Sequence, residues 1–394
     1  MKLSEAVIFN PPERLPKGTF AKKVSMDKLQ PFVRDIPTCA IEPYGGGAKF
    51  RNGDTIMARI TPCLENGKTA LVSFLKNGEV GYGSTEFIVW RARDGVTDSN
   101  YVYYLSQSPE IRDVAVKSMV GSSGRQRVQQ SVLDNCEIDL PDLDTQREIA
   151  ATLSALDDKI ANNTKINHHL EQMAQAIWSE RFGRCEPNGM LGDYCTIKSG
   201  FAFKSPWWQD DGVKVLKIKN ITYAGLDLSD CSFVSDDKVA LAKEFIARTG
   251  DLLIAMTGAT IGKFAIVPQI EEILLVNQRV GKFFFRDAPV LEWLPFLWCI
   301  LKQDSVFNEI INRGQGSAQP NISPTDIMTI PIFMPAADEI AEFNEALQSS
   351  FETITANAAE SEKLALLRDT LLPRLMSGET TIDIANKTQY NDNK

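Results

Sequence analysis

Arginine, asparagine, glutamine and lysine on turn-rich loops are the side chains of this 394-residue chain best suited to act on another molecule. In the first third they are Lys49, Arg51, Arg59, Lys68, Arg125, Gln126 and Arg127. Further on they are Lys198, Lys204, Lys217, Lys219, Asn220, Lys263, Gln278, Arg279, Arg313 and Gln319. Arg, Asn and Gln pair bidentately with base edges, and Lys more often meets a phosphate, so the set suits the reading of nucleic acid. Any one of these residues, taken alone, is more often a solvated surface charge. Lys68 and Lys263 stand out because they sit at matched places, in Gly67-Lys68-Thr69-Ala70-Leu71-Val72 and Gly262-Lys263-Phe264-Ala265-Ile266-Val267. A matched pair is equally what a shared fold would require.

Covalent chemistry has little to work with. Histidine-assisted nucleophilic catalysis needs an imidazole beside a Ser or Cys. The only two histidines, His168 and His169, are adjacent and fall in a helical stretch, which also makes a poor metal-ligand set. Gly121-Ser122-Ser123-Gly124-Arg125 lacks the lysine and spacing of a phosphate-binding loop. Asn10-Pro11-Pro12-Glu13 resembles the Asn/Asp-Pro-Pro-aromatic motif of base amino-methyltransferases, whose aromatic ring stacks on a flipped base. Here Glu13 takes the place of that ring, and no glycine-rich cofactor loop opens a helix after a strand. The chain is expected to carry no catalysis, cofactor or metal of its own.

The elements that must position the polar loops are written twice. Gly53-Asp54-Thr55-Ile56-Met57-Ala58 returns as Gly250-Asp251-Leu252-Leu253-Ile254-Ala255 at an offset of 197, and the Lys68 and Lys263 runs are 195 apart. Pro141 and Pro335, which close the two sheet-rich parts, are 194 apart. So long a period excludes a solenoid. Strand-like runs at 55–60, 69–74 and 86–90 are matched by runs at 213–218, 252–256, 264–267 and 280–285, and Asn-Gly and Gly-rich turns punctuate the first set. A late helix is expected in each part, at 100–117 and 294–312.

After each proline the period changes. Leu153, Leu156, Ile160, Asn163, Asn167, Leu170, Ala174 and Ile177 step by three and four, the spacing of a coiled-coil seam. Adding 194 leads to Leu347, Ser350, Ile354, Asn357, Ser361, Leu364, Arg368 and Leu371, a weaker copy with Phe343, Phe351 and Leu367 nearby. Packed antiparallel, the two helices would bring their polar centres level, where buried polar residues set register at a cost in stability. Polar residues facing solvent would give the same pattern. A helix of roughly 35 residues is about 50 Å long, more than one turn of duplex DNA, so the pair could act as a ruler between two heads.

Composition narrows the class. A hydrophobic share of 43% and a charged share of 24% are ordinary globular values. No apolar run is long enough to span a bilayer, and the N-terminus lacks a signal-peptide core. Seven cysteines without a Cys-x-x-Cys pair suggest reduced thiols and a cytoplasmic protein. The sheet-rich parts are nearly neutral, +2 over 1–140 and −3 over 186–335, while 141–185 and 336–394 hold −8 of the net −9. A generic basic nucleic-acid coat is excluded, and any DNA contact must be a local patch.

Beyond the duplicated head-plus-helix layout, two segments are diagnostic: Gly314-Gln315-Gly316-Ser317-Ala318-Gln319-Pro320-Asn321-Ile322 and the ending Leu367-Arg368-Asp369-Thr370-Leu371-Leu372-Pro373-Arg374-Leu375-Met376-Ser377-Gly378. With them the chain resembles, over essentially its whole length, the specificity (S) subunits of type I restriction–modification systems. It departs at Arg125-Gln126-Arg127, where the usual pattern is Gln-Pro-Asn, and at the helix openings, Thr145-Gln146 and Glu339-Ile340 in place of Glu-Gln.

The resemblance implies an α+β fold. Two sheet-rich target-recognition domains related by pseudo-two-fold duplication, at 1–143 and 186–336, would be separated by two long antiparallel coiled-coil helices at 144–185 and 337–378, with a polar, disordered tail at 379–394. It implies a non-catalytic subunit in which each head reads one half of a bipartite, asymmetric site in double-stranded DNA and the helices set the spacer. Its partners would be two modification subunits, which carry S-adenosylmethionine, and restriction subunits, with no membrane involved. A coiled-coil scaffold whose two heads bind protein partners is the alternative that the residues by themselves leave open.

Overall fold

The computed structural model describes residues 1–122, 124–222, 225–285, 290–315 and 320–380. The chain forms two compact units, Met1–Ala161 with Lys363–Lys394, and Asn162–Glu362. Each unit therefore holds one head together with parts of both long helices. The expected tail lies outside the described residues from 381 onward.

In the first head, β1 (Val7–Phe9), β8 (Phe87–Ala92), β5 (Thr55–Ala58) and β6 (Thr69–Leu71) form an antiparallel sheet in that order. A second sheet runs β3 (Ala40–Pro43), β2 (Phe20–Val24), β7 (Gly81–Gly83), β4 (Lys49–Phe50), with β2 and β7 parallel. All four residues of β5 are buried because the strand has a core on each face. Met57 joins Ile88, Trp90 and the helical layer, while Ile56 joins Val89, Phe50 and Val24. A strand covered on both faces reads as a continuous apolar run, which is how it appears in the sequence.

The second head repeats this path. β9 (Thr196–Ser199), β17 (Val280–Phe284), β14 (Leu252–Ala255) and β15 (Phe264–Ile266) form the antiparallel sheet. The other sheet is β10 (Trp208–Gln209), β12 (Ser232–Val234), β11 (Val213–Leu216), β16 (Leu274–Val276), β13 (Ile246–Ala247), again with one parallel pair, β11 with β16. Within this sheet β10 has no counterpart in the first head. The turns agree as well: Gly53 and Gly250 both have φ +83°, a conformation that favours glycine, and each donates to a valine carbonyl at 2.9 Å, Val72 and Val267. The fold is α+β with two heads of one topology.

Both late helices are broken where the sequence suggested one piece. The first is Ser99–Gln107 followed by Pro109–Lys117, because Pro109 has no N–H to continue the ladder and serves as the first residue of the next helix. The second is Val290–Leu301 followed by Asp304–Gly314.

The long helices are Leu143–Phe182 and Ala337–Met376, 40 residues each, and both start two residues after the matched prolines. Within each unit their segments run antiparallel. In the first, Leu153 shares a core with Leu372 and Leu375, and Asp157 pairs with Arg368 at 2.7 Å. Leu156 and Leu364 are half-buried, and Leu371 packs against that same core. In the second, Leu170, Ala174 and Ile177 pack with Leu347, Phe351 and Ile354.

The polar seam residues of the second unit face inward. Asn163 is fully buried and donates to Glu360 Oε2 at 2.8 Å, and Asn167 donates to the Ile354 carbonyl at 3.2 Å while accepting from Asn357 at 2.8 Å. Ile160 is half-buried, whereas His168 and His169 are exposed.

Candidate nucleic-acid interface

In the first head the segment after the late helices folds back onto the sheet. Thr61 donates its N–H to the Gln126 carbonyl at 3.0 Å, and Val128 donates to the Arg59 carbonyl at 2.9 Å. The second head makes the same clasp, Gly258 to Pro320 at 2.9 Å and Ile322 to Met256 at 2.9 Å. Gln126 and Pro320, and likewise Arg127 and Asn321, thus stand at equivalent stations on one backbone frame. Their side chains differ, and that difference is the chemistry presented to a ligand.

Arg125 is exposed and Gln126 half-exposed on this clasp. Arg127 is held by Glu86 through hydrogen bonds of 2.6–3.0 Å, and this bond lowers the Glu86 pKa below the ordinary carboxylate value. Arg59 reaches the Val128 carbonyl at 3.3 Å and, with Lys49, lines an open cleft of about 460 Å³ bounded by Asn10, Pro12, Thr85 and Phe87. Lys49 also donates to the Glu13 carbonyl. Lys68 is tied to the Met26 carbonyl at 3.1 Å. Arg51 pairs with Glu13 at 2.5 Å, with half of its side chain exposed.

The second head is built differently at the same connection. Between β9 and β11 lies Ser205-Pro206-Trp207-Trp208, and three lysines sit over its indoles. Lys204 and Lys238 approach Trp207 at 5.4 and 5.0 Å, and Lys217 lies 3.6 Å from the Trp208 centroid. Such cation–π contacts order the ammonium groups while leaving them charged. Burial, and then the neighbouring Lys219, push the Lys217 pKa down.

Other expected contacts have local partners. Lys198 pairs with Glu244, and Lys219 with Asp230 at 2.6 Å. Arg313 is bound to Glu309, the Asp326 carbonyl and Thr329 at 2.7–2.9 Å. Lys263 is half-buried in its hairpin, and Gln278 and Arg279 are exposed. Gln319 lies outside the described residues.

One reading of the sequence needs correction. Asn220 is 1% exposed, and its amide is used on the Asp227 and Asp230 carbonyls at 2.9 and 3.0 Å, so it braces a loop and faces no ligand. Glu13, the residue that breaks the stacking motif at Asn10–Glu13, is used internally. Its side chain is 1% exposed and receives Arg51 and Arg91, making it an internal anchor. The Arg91 network and the Trp207 and Trp208 platform were missed, although an aromatic pair among lysines is a legible signal.

No helix among the described residues is long and apolar enough to cross a membrane. Nor do those residues contain a group of three or more His, Cys, Asp or Glu arranged to hold a metal.

A family model described as the type I restriction modification DNA specificity domain matches residues 40–172 and 188–365, one copy in each half of the chain. The chain belongs to this family. The MjaVIII specificity subunit of a type I restriction enzyme from Methanocaldococcus jannaschii is 25% identical over 82% of the chain and 79% of its own length. The EcoAI specificity subunit from Escherichia coli is 23% identical over 77% of the chain and 69% of its length. A crystal structure of the type I S subunit from M. genitalium matches with a TM-score of 0.56 and 15% identity, covering 95% of each chain, and shows the same fold. As a specificity subunit of this family, the chain serves the recognition of DNA sequence.

Proposed function

We propose that each head reads one half of a bipartite, asymmetric DNA site, and that the paired helices set the number of unread base pairs between the halves. The observation that carries this is one backbone frame bearing two surface chemistries. Arg125, Gln126 and the cleft at Lys49 and Arg59 mark the first head, and the lysine-covered Trp207 and Trp208 mark the second. Two alike heads would read a palindrome; two unlike heads read unlike half-sites. Each helix of 40 residues is about 60 Å long at 1.5 Å per residue, enough to exceed a turn of duplex.

The chain supplies positioning and base contacts, and partners supply the chemistry. Two modification subunits, which would carry S-adenosylmethionine, and the restriction subunits are the partners this reading requires, in a cytoplasmic complex.

Long-read methylation mapping of cells expressing the chain with its modification subunits tests the reading. The expected result is one motif with two different half-sites and a fixed gap. A single contiguous motif, or methylation indifferent to sequence, would overturn it.

A further inference from the structure

The joint between head and helix pair occurs twice, 194 positions apart, with opposite chemistry. In the first unit Tyr104 donates its hydroxyl to Asp157 at 2.6 Å. Arg368 donates to the same carboxylate at 2.7 Å and to the Phe32 carbonyl at 3.2 Å. The side chains of Asp157 and Arg368 are only 6% and 11% exposed.

The counterparts of Tyr104, Asp157 and Arg368 in the second unit are Trp298, Phe351 and Ala174. There the station is apolar. Trp298 meets Phe351 edge to face at 5.6 Å, and Ala174 is fully buried in the same cluster.

Size differs as well as charge. Leu372 and Met376 close the first joint, and their counterparts Trp178 and Phe182 close the second. The Phe182 ring lies 5.7 Å from Phe343 and 6.1 Å from Phe296, where the first unit has Ile149 and Val102.

Each joint draws on both sequence halves. Tyr104 and Asp157 come from 1–185 and Arg368 from 186–394; Trp298 and Phe351 come from the later half and Ala174 from the earlier. We propose that this exchange makes the pairing of the halves selective: residues 1–185 accept residues 186–394 and refuse a second copy of themselves. A pair of first halves would set Ala174 against Asp157, leaving a buried carboxylate without its guanidinium. It would also drive an indole into the place of Leu372. A pair of second halves would press Arg368 against Trp298 and Phe351 with no carboxylate to receive it. The polar centre distinguishes less: Asn163 and Asn357 are equivalent and Asn167 and Ser361 both donate and accept, although Glu360, which Asn163 meets at 2.8 Å, has Ile166 as its counterpart. Selection resides mainly at the joints.

The test uses the full chain with a protease site inserted into 183–188, a stretch exposed throughout. Natural and heavy-isotope preparations are cleaved, mixed, unfolded and refolded together, and pair masses are read by native mass spectrometry. Pairs of unlike pieces are expected in every isotope combination, with like pairs below about a tenth of them. Like pairs above that level, or no unlike pairs, overturn the proposal. In a second arm, Ala174→Arg with Trp178→Leu supplies the missing guanidinium and removes the bulk. Pairs of first pieces should then rise at least about tenfold over the unsubstituted piece, and no rise would show that these residues do not select.

Discussion

Arg91 grips Asp54 through two parallel hydrogen bonds, Nε to Oδ1 and Nη2 to Oδ2, both 2.7 Å, and its third nitrogen reaches Glu13 at 2.7 Å. Both carboxylates are 1% exposed, and with Arg51 on the other Glu13 oxygen at 2.5 Å two guanidiniums balance the two buried charges. Asp54, then Glu13, keep Arg91 more firmly protonated than a free arginine, against the pull of burial. The second head solves the same problem with less: Asp251 meets Lys282 at 2.5 Å, and its Oδ1 has no partner.

Removing Arg91 should therefore be among the most damaging single changes in the first head. Arg91→Ala is expected to cost about 3–5 kcal/mol, the range for breaking a buried pair by deleting one partner. Arg91→Lys should recover only part of this, because an ammonium does not reproduce the planar fork. Urea unfolding midpoints measure both, and a loss under about 1 kcal/mol for the alanine variant would rule the anchor role out.

Asn163 gives a second test, with a worked pH sign. Asn163→Asp replaces the donor to Glu360 with a carboxylate, so a buried charge faces the like charge of the exposed Glu360. At neutral pH the expected loss is about 1–3 kcal/mol. Like charges raise one carboxyl's folded-state pKa, so the folded protein takes up a proton before the unfolded chain does. The loss should then shrink as pH falls through that raised pKa, and thermal melts of both proteins from pH 7 to pH 4 read the trend.

The tie between Arg127 and Glu86 runs the other way. The Glu86 pKa is lowered by the Arg127 bond, so the tie contributes above the unfolded carboxyl value of about 4.3 and is lost as pH falls through the lower folded value. In Arg127→Ala the Glu86 carboxyl carbon should titrate closer to the free value by NMR. An unchanged titration would mean that the bond does not persist in solution.

On DNA the two heads should fail separately. Within the assembled methyltransferase, Arg125→Ala or Gln126→Ala should relax one half-site by roughly tenfold or more and leave the other intact. Lys204→Ala should weaken binding uniformly and reduce the log–log salt slope by about one for each phosphate no longer neutralised. Fluorescence anisotropy across a salt series separates the two behaviours.

Head exchange with another family member tests where a head ends. The first unit includes residues from 363 onward, and Arg368 completes the joint at Asp157. A graft of 1–140 alone should be less stable than one that carries 1–161 together with 363–376. Equal melting temperatures for the two grafts would contradict the joint described here.

The frame was legible in the sequence because repetition and period are local properties. Gly53-Asp54 and Gly250-Asp251 marked the same turn twice, and steps of three and four from Leu153 to Ile177 could only serve a helix with a buried stripe. The site was less legible. Arg51, Arg127 and Arg313 are indistinguishable from free surface arginines until their carboxylate partners appear, and those partners lie 4 to 41 residues away.

Sequence alone determined that there are two heads of one design, two long helices, and little material for catalysis, since type and spacing suffice for each of these. Only the tertiary structure decided which charges are used internally and which remain for a partner. It alone decided that Asn163 faces inward, that Asn220 braces a loop, and that one joint is ionic and the other aromatic. The physical reason is that desolvation and pairing depend on what the fold places within a few ångströms, and residues such as Asp157 and Arg368, 211 positions apart, meet only after the chain has folded back on itself.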